Sequence, residues 1–400
     1  MSKRKLVILP VIAGSLIALY TILRSLPVVV VLPSRPPAPV ENSFASLNAA
    51  ASRIVRIDDI SNARLKQTRD SFSLAEKRAM VNANRDVIRF AHQALRLPYQ
   101  QTNTDTSIDD RSPPYDNLRH LTWLLTLAGD VAWESDNQSE AIDCYLDAVT
   151  IGRKIPNRVG IIGHLVGLSC ETIGRSHLWE RLGNMNADTA QQCLTRLNRM
   201  ATERIPLSVA YEEEKYTAQS IVAETTADPK PASYAGLVPK RIIMNTLTDY
   251  MDKQIALTKQ PYAAGNEEIP CPKELLTGML APVTRGTRCK YTAVETGDVL
   301  LRTALALRLY RLKTGKPPDQ LTELVAAGLL TRIPDDPFSP PGTRLQFKVL
   351  PSSETLLYSV GPDGIDDNGG YVEGKMKSSK VIRQVDPDSK GDMIAGWGAY

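Results

Sequence analysis

The sequence predicts a mainly α-helical protein: an N-terminal transmembrane helix, a body of antiparallel helices and a small α+β module towards the C-terminus. Three observations carry that reading. Apolar residues recur at spacings of three and four through most of the chain between Leu74 and Leu257, the pattern of helices that bury one face. Alternation at a spacing of two is confined to two short runs, RLQFKVL and TLLYSV, both near the C-terminus. The stretch Leu6–Leu23 runs for eighteen residues without a charge.

At helical rise that stretch reaches about 27 Å, close to the thickness of a bilayer's hydrocarbon core. Lys3, Arg4 and Lys5 precede it, so the positive-inside rule places the N-terminus in the cytoplasm and the bulk of the chain outside the inner membrane, as a single-pass periplasmic protein. A cleaved signal peptide has a shorter apolar region, about 7 to 15 residues, and an A-x-A-like site. This stretch has neither, which favours an uncleaved anchor over 1–32, and either reading exports the body. PSRPPAP then forms a semi-rigid spacer, because proline fixes φ, and opens a polar linker over 33–72.

Residues 73–260 read as the helical body. Ser73 and Glu76 form a capping-box pattern that opens a helix over Leu74–Leu97, and Leu74, Val81, Ile88 and Leu95 fall seven apart as a packing seam. After the polar loop QQTNTDTSIDDRSPP a helix pair lies between Asn117 and Pro156, its second helix capped by Asn137 with Glu140. Gly129 with Ala141, Tyr145 and Ala148 resembles a tetratricopeptide unit, whose small residues let two helices approach closely. No second copy follows at a period of about 34 residues, so the resemblance implies a helical hairpin of that style, with protein or peptide partners on the helical body. Helical periodicity continues over 161–183, 190–200, 206–225 and 242–257, broken by ADPKPASYAGLVPK.

Residues 261–374 read as the α+β module. From Asp298 an amphipathic helix buries Val299, Leu300, Thr303, Ala304, Leu307 and Tyr310, and Gly315 stops it. Pro317 and Pro318 lead into a short helix over 321–329 that Gly328 ends. Leu345, Phe347 and Val349 alternate on one strand, Leu356, Tyr358 and Val360 on the next, and PSSE joins them as a hairpin. GPDGIDDNGG follows as an acidic glycine loop.

This order, long helix, GKPP, leucine-rich short helix, IPDDPF, then a strand pair ending in YSVGPDG, resembles the C-terminal part of the major pseudopilins of type II secretion from about Val299 to Gly370. The resemblance implies a structural Ca²⁺ in the loop, with Asp363 as first carboxylate, Asp366 or Asp367 as the second and Asn368 as a neutral oxygen. Read without it, the loop is a solvated turn in which Asp and Asn bond their own backbone. The spacing excludes an EF-hand. A pseudopilin leads from a processed leader through a hydrophobic helix directly into this module; here the module sits at the far end behind a charged helix, so the chain is no pilin subunit. The tail, 375–400, reads as irregular. The whole arrangement is similar to membrane-anchored bacterial envelope proteins for which no activity is implied.

Catalytic signals are sparse. His92, His120, His164 and His177 are scattered over helices without H-E-x-x-H or G-x-S-x-G, and read as packing or surface residues. Glu212, Glu213 and Glu214 are adjacent on a helix and read as a solvated face. Glu171 and His177, six apart, do not share a face. Cys271 and Cys289 lie on the approach to the module and are the candidate disulfide in an exported chain; Cys144, Cys170 and Cys193 sit on apolar helix faces. With 48 basic and 44 acidic residues and no basic stripe, the chain lacks a general nucleic-acid surface. The expectation is a non-enzymatic envelope or secretion-associated scaffold. The alternative is an exported hydrolase assembled from distant residues: a cleft gathering one histidine and two carboxylates would favour it, an apolar groove the scaffold.

Overall fold

The computed structural model describes residues 37–55, 72–101, 115–226, 238–265, 268–282, 284–372, 375–377, 380–382 and 385–396. The expected anchor lies outside them, apart from isolated positions 15, 18, 19, 21 and 22. No helix among the described residues is long and apolar enough to cross a membrane.

The chain is mainly helical. α1 (Ser43–Ser52) is capped by Asn42, whose side chain accepts from Phe44 N at 3.1 Å and also clasps Gln100. The helix expected over Leu74–Leu97 is two, α2 (Leu74–Ala83) and α3 (Arg85–Ala94). Ser73 and Glu76 do form the capping box at its start. The break is at Asn84, buried, whose amide pairs with both backbone groups of Val55 at 2.7 and 2.9 Å; an asparagine that bonds remote backbone competes with helix continuation.

α4 (Tyr115–Glu134) and α5 (Gln138–Lys154) form the expected pair, with Asn137 capping α5. A Cβ on Gly129 would collide with the Tyr145 ring, 2.6 Å from its Cδ1, so glycine is what admits the tyrosine between the two helices. α6 (Ile161–Leu182) packs on α5 so closely that a Cβ on Gly152 would lie 2.6 Å from Gly167 O. α7 (Ala187–Thr202) lies against α5, while α8 (Leu207–Thr225) and α9 (Lys240–Thr258) pack on each other.

After the short α10 (Leu275–Leu280), α11 runs from Thr284 to Thr314, so it begins well before the expected Asp298. It buries Leu301, Leu305 and Leu309 as well as the expected Val299, Leu300, Thr303 and Leu307. The second buried face arises because α11 is held between α6 and α7 on one side and the sheet on the other, and a helix covered on both sides is apolar on both. One hydrophobic cluster consequently contains Tyr145, Leu178, Leu194, Leu305, Leu357 and Met393, and residue 260 marks no gap in the core.

α12 (Thr322–Ala326) follows, and Gly315 and Gly328 take positive φ at the expected stops. β1 (Gln346–Val349) and β2 (Thr355–Ser359) pair antiparallel with Phe347 opposite Leu357. β3 (Lys375–Lys377) and β4 (Lys380–Ile382) form a separate hairpin, and β5 (Met393–Ile394) pairs antiparallel with the free edge of β2, Ser359 opposite Met393. The described residues of the tail thus include three strands in place of the expected irregular segment. Of these, β5 makes β2 central, so Leu357, Tyr358, Ser359 and Val360 are all buried where alternation predicted Leu356, Tyr358 and Val360. Val349, expected inside, is exposed on the edge strand.

Candidate functional site

Four polar centres hold the chemistry-bearing side chains. The largest is an arginine–carboxylate network between α5, α6, α11 and the α7–α8 connection. Glu171 Oε1 lies 3.1 Å from Arg153 Nη2, 3.1 Å from Arg175 Nη1 and 2.6 Å from Arg204 Nη2. Asp298 lies 2.9 Å from Arg153 and accepts from Arg302 at 3.2 Å. Arg175, 2 % exposed, also donates to Val294 O at 2.6 Å, lying against α11 where Gly297 leaves room. Burial alone would raise Asp298, but the charges of Arg153, Arg302, Arg204 and Arg175 outweigh it and hold the carboxyl well below its usual range. A buried network of this kind ties elements together, and removing one partner leaves charge uncompensated.

The second centre is Asp130. Lys77 Nζ meets its carboxylate at 2.6 Å, Tyr145 OH donates at 2.9 Å, and His177 Nδ1 lies at 2.9 Å with its ring stacked on Tyr145. Burial pushes Asp130 up, and the hydrogen bonds and charges of His177 and Lys77 bring it well below normal. Glu171 and His177 therefore serve separate centres.

The third lines a cleft of about 880 Å³ beside α3, α5 and α7. His92 Nδ1 is 2.5 Å from Asp147, His92 Nε2 is 3.9 Å from Cys144 Sγ, and Arg196 reaches both Asp143 and Asp147 at 2.7 Å. The order thiol, imidazole, carboxylate is that of a nucleophile with its base. The thiol is nevertheless unsuited to attack: burial first, then the charges of Asp147, Glu140 and Asp143, push its pKa up, the opposite of an activated cysteine.

The fourth is a cleft of about 530 Å³ between α9, α11 and residues 330–337, with Tyr291, Glu295 and Arg302 on its α11 wall. Burial raises the Glu295 carboxyl above its usual range, only partly offset by Arg204.

The residues singled out by sequence fall elsewhere. In the acidic loop Asp363 accepts from Ile365 N at 3.2 Å, and Asp366 from Asn368 N at 2.8 Å and from Tyr358 OH at 3.0 Å. Asp367 and Gly369 donate their N–H groups to Asp392, a fully buried tail carboxylate absent from the sequence reading. The Asp363 and Asp366 bonds to backbone two residues on are Asx turns, while the Tyr358 and Asp392 bonds tie the loop to β2 and to the tail. Among the described residues no group of three or more His, Cys, Asp or Glu is placed to hold a metal. The structure does not join Cys271 to Cys289: both are free thiols, Cys271 exposed and Cys289 buried inside α11, which the early start of that helix removes from the loop. The three glutamates are no solvated face. Glu212 pairs with Lys259, Glu213 is buried on Arg158, and Glu214 accepts from Ile161 N at 3.1 Å, serving as a remote cap for α6, whose own Gly160 has no side chain to do so. Asp336 of IPDDPF, buried, accepts from Phe338 N and Val360 N at 3.0 Å and from Ser359 Oγ at 2.6 Å, fastening that turn to β2.

No protein family, curated relative or solved structure matches the chain.

Proposed function

We propose that this chain is a non-enzymatic, membrane-anchored protein of the extracytoplasmic side, whose helical body is a rigid platform for protein partners. The observation that supports the platform is the withdrawal of catalytic-type side chains into structural work. Burial pushes the Cys170 and Cys289 thiols up to about 11 and His164 down to about 4, and His177 is engaged by Asp130. General acid–base or thiol chemistry near neutral pH requires the reverse, groups poised near that pH and open to substrate. The anchor rests on Leu6–Leu23 and the basic residues before it. A structural Ca²⁺ at Asp363, Asp366 and Asp367 remains part of the proposal on the pseudopilin resemblance alone, and it would have to compete with the loop N–H groups.

Cys271 offers the test, being exposed and free. A membrane-impermeant maleimide applied to intact spheroplasts is expected to label the wild-type chain and not Cys271→Ser; labelling that requires lysis would remove the extracytoplasmic placement. Cross-linking in the membrane fraction is expected to trap a stable protein partner.

An exported hydrolase is the second reading, favoured by the cleft that gathers His92 with Asp143 and Asp147. With the Cys144 thiol held protonated, the nucleophile there would be water, activated by His92. Hydrolysis of an ester or peptide substrate that His92→Ala abolishes would put this reading first.

A further inference from the structure

Arg288, Tyr291, Thr292, Glu295, Val299 and Arg302 follow a spacing of three and four along α11, which places them on one stripe of the helix. That stripe forms a wall of the 530 Å³ cleft. The remaining walls come from the end of α9, the turn at Pro261 and Tyr262, and residues 330–337. Four cationic side chains, Lys259, Arg288, Arg302 and Arg332, line the cleft against two carboxyls, Glu295 and Asp335.

These cations differ in what they have left to give. The Arg288 guanidinium is taken up by the carbonyls of Gln260, Pro261 and Gly265, and it braces the turn. Arg302 is oriented by Asp298, through Nε at 3.2 Å, and by Asn198, through Nη1 at 3.3 Å, on the cleft wall. Lys259 reaches Glu212 at 3.0 Å on the surface, a contact that solvent weakens. Arg332 is exposed at the mouth. Behind the wall, Arg153, Arg175 and Arg204 gather on Glu171, and Arg153 also reaches Asp298.

Glu295 is the complement. Its side chain is half-buried on the cleft wall, and no hydrogen bond to it is formed among the described residues. A half-buried carboxyl of this kind is open to a donor from an occupant of the cleft in place of water. The cleft volume is that of sites for small organic molecules.

We propose that this cleft binds a small amphoteric carboxylate of the amino-acid class, its carboxylate held by Arg302, Lys259 and Arg332 and its ammonium group by Glu295. The site is separate from the acidic loop and from the His92 cleft, and it does not depend on the platform reading or on the anchor.

The test is calorimetric titration of the purified full chain in detergent, at constant ionic strength, with L-glutamate, with glutarate, which lacks the ammonium group, and with inorganic phosphate. L-glutamate is expected to bind saturably and more tightly than glutarate or phosphate. Arg332→Ala, a change at an exposed position, is expected to weaken L-glutamate and glutarate alike by about tenfold, the loss of one charge-assisted contact. Glu295→Gln is expected to weaken L-glutamate by about tenfold and leave glutarate unchanged. Absence of saturable L-glutamate binding, or an affinity that Arg332→Ala leaves unaltered, overturns the site. Phosphate binding as tightly as L-glutamate overturns the carboxylate assignment, and equal loss of L-glutamate and glutarate in Glu295→Gln overturns the role of Glu295.

Discussion

His164 shows how far burial alone can move a side chain from its ordinary chemistry. It is 1 % exposed, its ring lies against Tyr291, and Arg204 adds a like charge to the cost of protonating it. The unfolded chain takes up the proton near 6.5 and the folded chain only near 4, so between those values the unfolded state binds more protons. Stability is therefore fully present above 6.5 and falls as pH drops through about 4, by on the order of 3 kcal/mol. Urea unfolding of His164→Gln is expected to show a flatter pH dependence across that window than the wild type; an identical slope in both would assign the effect elsewhere. Asp130 and Asp298 have depressed carboxyls, and their contribution is lost at still lower pH, below the ordinary value of 3.8. None of this was legible from spacing. Glu171 gathers Arg153, Arg175 and Arg204, and only Arg175 lies a helical turn away in sequence.

Helix identity, by contrast, was largely written locally. The capping box at Ser73 and Glu76, the Asn137 cap, and the stops at Gly315 and Gly328 each rest on groups within a few residues of one another. The break at Asn84 was invisible because its partner is Val55, in the segment that follows α1 and twenty-nine residues away. The close approach of α5 and α6 had a partial signal in Gly152, Gly167 and Gly174, but which helix they admit is a tertiary matter. A methyl at Gly152 would sit 2.6 Å from Gly167 O and 2.8 Å from Glu171 Cα, against backbone that has little room to yield. Gly152→Ala is therefore expected to cost about 1–3 kcal/mol, read as a lower urea midpoint at unchanged slope. Gly183→Ala, with no atom near the added methyl, is the control and is expected to be near neutral.

At the scale of the molecule, the tail is a strap. Asp392 N donates to Gly370 O at 2.6 Å while its carboxylate receives Gly369 N at 2.7 Å, and Met393 enters the main core beside β2. Gly391, at φ +100°, passes close against Tyr371 O, an approach that a side chain would block. Ending the chain at residue 384 removes β5 and Asp392 together. It is expected to lower the thermal midpoint and to abolish hydrogen-exchange protection first over residues 355–372; unchanged protection there would reduce the tail to an appendage. No sequence signal marks this strap, because a two-residue strand carries no periodicity and its pairing spans more than thirty residues of chain.

The sequence by itself determined the helical class, the caps at Ser73 and Asn137, the stops at Gly315 and Gly328, the β1–β2 hairpin and the small-residue packing of α4 on α5, because those depend on interactions between residues a few positions apart. Only the tertiary structure decided the rest: that α11 is covered on both sides, that the tail completes the sheet, that Asp392 of the tail fastens the acidic loop, and that Glu295 and Arg302 face a cleft with Lys259 and Arg332. Each is a meeting of residues far apart in the chain, fixed by how whole elements bury their faces against one another, a choice that no local pattern encodes.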